Sequence, residues 1–482
     1  MRVLAFRKRL ISKKTERRTT DLAIMYRVMK IQIHMNHPLF PWCDTITRKA
    51  NNLDNATLFR MRQVMTAVTK EQEALTANEA AVMDEVHATA LKHGFPVPEK
   101  GHFFLSYKLL DKLFRDTGNP AYFSDGLPMQ SAQWVVKRVT KRMKAFFAAK
   151  REYKRHPEKF TGEPKLPRYH KSGGSTSVVI TNQDCVISLR EDGRYCAKLP
   201  LTKERCVLGA RPLPGKLVQA EVIPAHGIFL LVFTFNDGGS SSCYCGGTES
   251  ADDIRNSPCR IVALDMGVDN LASLTCNTGH PGLLIKGGAL KAINQLYNKR
   301  AAAIRSKETK GGTAKFKPTP ESMALDLWRE NRVDDYMHKS AAVILNWLKE
   351  HDIDTLVCGH NPGWKDSSNL GRVNNQNFVQ LPFAKLEGIL KYLCERNRIR
   401  FVEQEESYTS KVSFIDGDNI PVYRLEGQNE EYVFSGKRRP ARYKGMYKTD
   451  GFRGLYATRG GIIINADLNG SANIGRKAFP RL

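Results

Sequence analysis

After Cys259 this chain alternates short apolar runs with long amphipathic stretches, and that alternation restricts its second half to a layered α/β fold. The strand run CRIVALDMGVDNLASLTC comes first, followed by helical patterns in ALKAINQLYNKRAAAIRS and DYMHKSAAVILNWLKEH. The strand IDTLVCGH, the helix LPFAKLEGILKYLCERN and the strand IRFVEQEES come next, and GGIIINADLNGSANIGRKAF closes with a strand-to-helix turn. Three of these runs end in acid. Asp265 follows Ile261 to Leu264; Glu403, Glu405 and Glu406 follow Phe401 and Val402; Asp467 follows Ile462 to Ile464 and opens a helix with Asn469 and Asn473. Carboxylates at strand ends are costly unless they meet a cation. Converging from separate strands, they form the hard-oxygen donor set that magnesium prefers. Two such ions, about 3.5–4 Å apart, can activate water and stabilise the leaving oxygen of a phosphodiester. Asp269, in the Gly-Val-Asp-Asn turn, reads as a turn residue.

The first half has a different pattern. In YRVMKIQIHM, apolar Met29, Ile31, Ile33 and Met35 alternate with Lys30, Gln32 and His34, as in a half-buried strand. Helical spacing runs from KANNLDNATLFRMRQ to Lys150. In the last of these helices, Trp134, Val135, Val139, Met143, Phe146 and Phe147 form one apolar stripe. Around it stand Lys137, Arg138, Lys141, Arg142, Lys144, Lys150 and Arg151, with no acid before Glu152. A surface of one sign repels itself, so this helix is expected to contact phosphates. From Ser172 to Phe235, short strands punctuated by Gly and Pro suggest a small barrel or sandwich, with the strand at Ile31 completing it across the helices. NDGGSSSCYCGGTESADDIRNSP reads as a linker, with Cys243 and Cys245 as free thiols.

Composition narrows the partners. Among 482 residues, Lys and Arg number 75 against 49 Asp and Glu, a net charge of +26 that favours a polyanion. No apolar run reaches the roughly 18 residues needed to span a bilayer. The basic start MRVLAFRKRLISKKTERRTT has no apolar segment behind it, unlike a secretory signal. The 10 cysteines have no regular spacing and read as reduced, intracellular thiols. Membrane and small secreted classes are therefore excluded.

Several segments together resemble the transposon-encoded TnpB proteins and their eukaryotic relatives, the Fanzor proteins. KANNLDNATLFRMRQ resembles the family's first helix, and ALDMGVDNLASL its first metal motif, with Asp265 at the metal position. DYMHKSA, with His338 and Lys339, also looks like a family segment. ESYTSKVSFIDGD, FSGKRRPARYKGMY and INADLNGSANIGRKA resemble its C-terminal block, with Asp467 at the last metal position. The resemblance implies RNA-guided DNA endonucleases related to the type V CRISPR effectors. It also implies a multidomain α+β fold: a helical recognition domain inserted in a small β-barrel, wedge-like domain, followed by an RNase H-like (RuvC) α/β nuclease domain.

On that plan, residues 1–25 form a basic tail, 26–50 and 172–240 the barrel, and 51–171 the recognition domain. Residues 241–258 form the linker, 259–410 and 460–482 the nuclease domain, and 411–459 an inserted nucleic-acid-binding subdomain. The usual middle Glu is missing, since His360 and Asn361 stand where it is expected. The resemblance to a subset with a displaced Glu before Thr-Ser-Lys implies Glu406 instead, with Glu405 and Glu403 as fallbacks. His360 is taken as a plain strand-end residue. The catalytic and metal-binding set is then Asp265, Glu406 and Asp467, holding two Mg²⁺.

There is no cysteine after Cys394, so the four-ligand structural zinc common in the family cannot be assembled. The inserted subdomain would rest on its own packing, through Phe414, Tyr423, Tyr432, Phe434, Tyr443 and Tyr447. The expected nucleic-acid contacts are Lys137, Arg138, Lys141, Arg142, Lys411, Lys437, Arg438, Arg439 and Arg442. The implied partners are a guide (omega-type) RNA and target double-stranded DNA, with no membrane and a monomer. The implied location is intracellular: the nucleus of a eukaryote, or the cytoplasm or nucleoid of a bacterium. The competing readings are a guided DNA-binding regulator without cleavage and a guide-free accessory nuclease of transposition.

Overall fold

The computed structural model describes residues 23–120, 122, 127–241, 260–309, 315–360, 381–421, 432–439, 442–444, 447–450 and 454–480. Outside these lie the basic tail up to residue 22, the linker with Cys243 and Cys245, Asn361 and Tyr423. The side chains of Arg442, Tyr443 and Tyr447 are also outside the description. The chain divides into two compact units, Met25–Gly239 and Ser240–Leu482.

In the first unit, β1 (Ala23–Ile33) buries Ile33 fully and Met29 and Ile31 in part, as their alternation requires. Helix α1 (Phe40–Ala67) starts with Pro41 in its first turn, well before the segment read as helical at Lys49. Helix α2 (Ala77–His93) opens on a capping box between Thr76 and Glu79 and ends at Gly94, whose φ of 65° lies in the left-handed region that favours glycine. Ser106 caps α3 (Tyr107–Asp116), and α4 (Met129–Arg155) follows.

Strands β2 (Val178–Thr181), β3 (Val186–Leu189), β4 (Tyr195–Lys198), β5 (Arg205–Gly209), β6 (Lys216–Ala225) and β7 (Ile228–Ser241) complete the unit. Strand β1 does join the later strands across the helices, in a sheet ordered β1-β7-β6-β2. The expected barrel does not close. Among the described residues β3, β4 and β5 pair only with one another in a separate sheet. Two causes are visible. The amides of Asp184 and Cys185 both donate to the Thr181 carbonyl at 3.1 Å, turning the chain out of β2. Helices α1 and α4 also pack on the four-stranded sheet. Its face of Val178, Ile180, Ala220, Val222, Leu231 and Phe233, all fully buried, is thus covered by helices instead of rolling onto itself.

Helix α4 corrects a second expectation. Its inner residues Val135, Val139 and Met143 are buried, but Trp134 is 43% exposed. Arg138 and Arg142 also reach Asp54 of α1, whose side chain is fully buried. Arg142 Nη2 lies 2.7 Å from Asp54 Oδ1 and Arg138 Nη2 3.3 Å from Oδ2, with His170 Nε2 3.3 Å from Oδ1. A buried carboxylate needs cations, and these side chains supply them. Lys137 and Lys141 remain exposed.

The second unit is built on one sheet. It contains β8 (Ile261–Asp265), β9 (Asn270–Cys276), β10 (Leu283–Lys286), β11 (Thr355–His360) and β12 (Arg400–Glu405), in the order β10-β9-β8-β11-β12. The β8, β11 and β12 ladders are parallel; those of β9 and β10 are antiparallel. On one face Val262, Leu264, Leu356 and Cys358 meet the apolar sides of α6 (Pro320–Glu350) and α7 (Phe383–Arg396), while α5 (Gly288–Thr309) packs along α6. On the other face Ile261, Ala263 and Val357 meet Ile474 and Phe479 at the C-terminal α8 (Ala466–Ala478). Burial on both faces explains why β8 and β11 read as unbroken apolar runs.

Short strands β13 (Lys437–Arg438), β16 (Leu455–Ala457) and β17 (Ile463–Asn465) form a small antiparallel sheet, and β14 (Arg442–Lys444) pairs with β15 (Tyr447–Asp450). Among the described residues, no helix is long and apolar enough to cross a membrane.

Candidate active site

Asp265 is the last residue of β8, and Glu406 directly follows β12. Because these strands flank β11 in parallel, both acids emerge at the same sheet edge. Asp467 arrives there in the first turn of α8. Asn465 caps that helix by accepting from the Asp467 and Leu468 amides at 2.9 and 3.0 Å.

Helix α8 can approach so closely because its inner face is small and polar. Ser471 Oγ donates to the Ala263 carbonyl at 2.7 Å. A Cβ on Gly475 would stand 3.2 Å from that of Ala263. Asn473 donates to the Thr409 and Val412 carbonyls, and Asn469 also donates to Val412, so the helix pins the loop after Glu406. Thr409 fixes that loop from within, its hydroxyl donating to the Glu406 carbonyl at 2.8 Å.

Glycines make room for the carboxylates. A Cβ on Gly470 would lie 2.8 Å from Asp265 Oδ2. A Cβ on Gly359 would lie 2.5 Å from Glu406 Oε2 and 2.8 Å from Ile474 Cδ1. The convergence is electrostatically costly. Burial, then the negative charges of Glu406 and Asp467, push Asp265 from its ordinary 3.8 up to about 8, against the opposing pull of Arg438. The partial compensation sits on Asp467: Arg438 of β13 pairs with its Oδ1, and Asn270 Nδ2 donates to its Oδ2 at 2.7 Å. Asn270, 7% exposed at the start of β9, is a site residue that the sequence reading missed; its signal was a polar residue opening an apolar run.

The neighbouring acids are engaged elsewhere. Val402 packs against the face with Ile474, whereas Phe401 packs on the opposite face. Strand alternation then carries Glu406 to the face of α8 and Glu403 to that of α7. Glu403 is 2.7 Å from Lys391 Nζ, whose hydrogen bond holds the carboxyl below its usual range despite burial. At the end of the edge strand, Glu405 lies 2.6 Å from Lys477 Nζ and accepts from the Ser407 amide. Burial opposes its charge, but these bonds outweigh it and hold the carboxyl low. His360, read as a plain strand end, belongs to a second group: its Nδ1 is 3.1 Å from Glu387 Oε1. One ligand atom each of His360, Glu387 and Glu403 lies within 4.8 Å of the others. Asp269 pairs with Lys291 beside its turn, and His338 is exposed on α6.

The inserted segment is held by carboxylates. Asp416 Oδ2 accepts from the Ser413 and Ser435 hydroxyls and the Arg459 amide; Asp418 Oδ2 accepts from the Ser413 and Ser435 amides. Those bonds hold Asp416 below its usual range, the Ser413 hydroxyl foremost. Tyr456 is buried and donates to the Lys411 carbonyl at 2.8 Å, while Phe414 is 43% and Tyr432 38% exposed. Of the aromatics expected to hold this segment, Tyr432 packs on Tyr408 and Phe434 is half-buried, and an aspartate and serine hub adds to them. Lys411 and Lys437 are exposed, and Arg439 is half-buried.

Residues 251–365 match the family model OrfB_IS605, described as a probable transposase. No curated protein matches the chain. The solved structure of a Cas12f1–sgRNA–target DNA complex is 11% identical, with a TM-score of 0.31, covering 95% of this chain and 100% of its own. That of an AacC2c1–sgRNA binary complex is 7% identical, with a TM-score of 0.44, covering 94% of this chain and 89% of its own.

Proposed function

We propose, from the premise that the chain is a TnpB-like protein, that it is an RNA-guided DNA endonuclease with a RuvC-type, RNase H-like nuclease core. One observation carries the reading: Asp265, Glu406 and Asp467 come from separate segments to one end of the sheet, close enough that burial and the charges of the other two push Asp265 up to about 8. The sheet order β10-β9-β8-β11-β12, with α8 across it, supports the fold assignment.

The residues present fit magnesium. All three are hard oxygen donors, Gly359 and Gly470 leave room around two of them, and Arg438 already brings positive charge to the third. Magnesium ions bound there supply Lewis acidity, lowering the pKa of an attacking water and neutralising the departing oxygen. Asp265 and Glu406 orient the donor set through the rigid ends of β8 and β12. Asn270 holds one oxygen of Asp467 and Arg438 the other, so a metal ion would take the place of one of these partners. Exposed Lys137, Lys141, Lys411 and Lys437 suit phosphate contacts, whereas Arg138 and Arg142 position α4 through Asp54. Base pairing with a guide RNA would supply sequence choice, and the protein would read only a short adjacent DNA motif.

The test is purification of the protein expressed from its native locus, sequencing of bound RNA, and incubation with DNA matching that RNA plus Mg²⁺. A discrete RNA encoded beside the gene and Mg²⁺-dependent cutting of only the matching DNA are expected. Recovery of no discrete RNA, or cutting indifferent to it, contradicts the proposal.

A further inference from the structure

A cavity of about 1000 Å³ opens in the first unit, away from the acids of the candidate active site. Gly94 ends α2 in the left-handed region, and Pro96 and Pro98 stiffen the strap that follows. The strap turns at Gly101, φ 93°, and runs into Phe103 and Phe104 before Ser106 caps α3. Opposite it, the last turns of α4 present Phe146 and Phe147. Phe147 is the hub of the floor, its ring centroid 5.6 Å from Phe103, 6.3 Å from Phe104 and 5.2 Å from Phe146. All four rings are half-buried, so each keeps a surface towards the opening.

The rim has one sign. Lys144, Lys150, Arg151 and Lys154 line it, and among the described residues no acid does. Lys144 Nζ stands 5.6 Å from the centroid of Phe104, and Lys150 also bonds Glu163 at 2.5 Å. Aromatic surface beside unbalanced positive charge is what an unpaired nucleotide recognises, with its base on the ring and its phosphate on the cation. The apolar side chain of a peptide would use the floor but leave the cations without partners.

We propose that this groove binds an unpaired stretch of RNA, stacking its bases on Phe103, Phe146 and Phe147 and holding its backbone with Lys144, Arg151 and Lys154. The choice of RNA over DNA rests on the function proposed above, in which RNA is the resident partner.

The test uses the full-length protein and labelled single strands of about ten nucleotides. These are one RNA, the same RNA with its internal bases removed, and DNA of the same sequence. Wild type should bind the intact RNA about tenfold more tightly than the abasic strand. Phe146→Ala and Phe103→Ala should each erase most of that difference, and Phe103→Tyr should keep it. Lys144→Glu, at an exposed position that disturbs no core, should weaken both RNAs alike and reduce their salt dependence. Equal binding of intact and abasic RNA, or preference for the DNA strand, overturns the proposal. So does a difference that survives Phe146→Ala in a protein of unchanged thermal midpoint. Asp265→Asn should leave the difference intact. If it persists while wild type never cuts guided DNA, the nuclease reading alone fails; if guided cutting occurs without it, the groove alone fails.

Discussion

Asp54, fully buried, and Asp265, half-buried at the end of β8, lie in different units, and their surroundings are opposite. Asp54 has Arg138, Arg142 and His170 around one fully buried carboxylate. Asp265 has two further acids as neighbours, Glu406 and Asp467, with Arg438 against them. Paired charge ties α1 to α4; at Asp265 the acids repel one another, a cost that the proposed metal binding would relieve. On the proposed reading, the partners of an acid tell a structural role from a catalytic one better than its burial does.

The largest effect expected from breaking this contrast is on cleavage. Asp265→Asn should lower guided DNA cutting by on the order of a thousandfold, measured under single turnover. It should not destabilise the metal-free protein, because it removes repulsion. Next comes Gly470→Ala, whose added methyl would displace the Asp265 carboxylate; cutting should drop about a hundredfold with the thermal midpoint nearly unchanged. Asp54→Asn should do the reverse. It leaves two arginines without their charge partner and should cost about 3 kcal/mol in denaturant unfolding of its unit. Guided cutting by the molecules that remain folded should persist.

The smallest effect sharpens the contrast by pH. Asp265 binds its proton more tightly folded than unfolded, so its contribution to stability is full below pH 3.8 and is lost as pH rises towards about 8. In EDTA, the midpoint of the wild-type protein should fall relative to Asp265→Asn across that window. Saturating Mg²⁺ should remove the slope, because bound cations favour the ionised form. Equal slopes for the two proteins in EDTA would refute the account of Asp265.

The strand-end acids were legible because three apolar runs each stop at a carboxylate, and the continuous apolarity of β8 and β11 announced burial on both faces. The pairing of β1 with the later strands could also be read, from the alternation around Ile31. Closure into a barrel could not, because it depends on whether helices or strands cover the sheet, which no local period encodes. The helix at Lys137 read as uniformly basic because its counter-charge, Asp54, comes from a different helix. The face taken by Glu406 was hidden for a similar reason: alternation fixes which acids share a side, and only Phe401 and Val402 in their two cores decide which side meets α8. The aspartate and serine hub at Asp416 escaped notice because its partners lie far along the chain, at Ser435 and Arg459.

The central claim is that Glu406 completes the carboxylate set that the outer aspartates cannot form alone. It is tested most directly by measuring Mg²⁺-dependent cutting of guide-matched DNA by Glu406→Gln, beside Glu405→Gln and Glu403→Gln. Glutamine keeps the size and removes the charge. Cutting should vanish in Glu406→Gln while guided DNA binding persists, and should stay within a few-fold of wild type in the other two, whose carboxylates serve Lys477 and Lys391. Full cutting by Glu406→Gln, or its loss only in Glu405→Gln or Glu403→Gln, would contradict it.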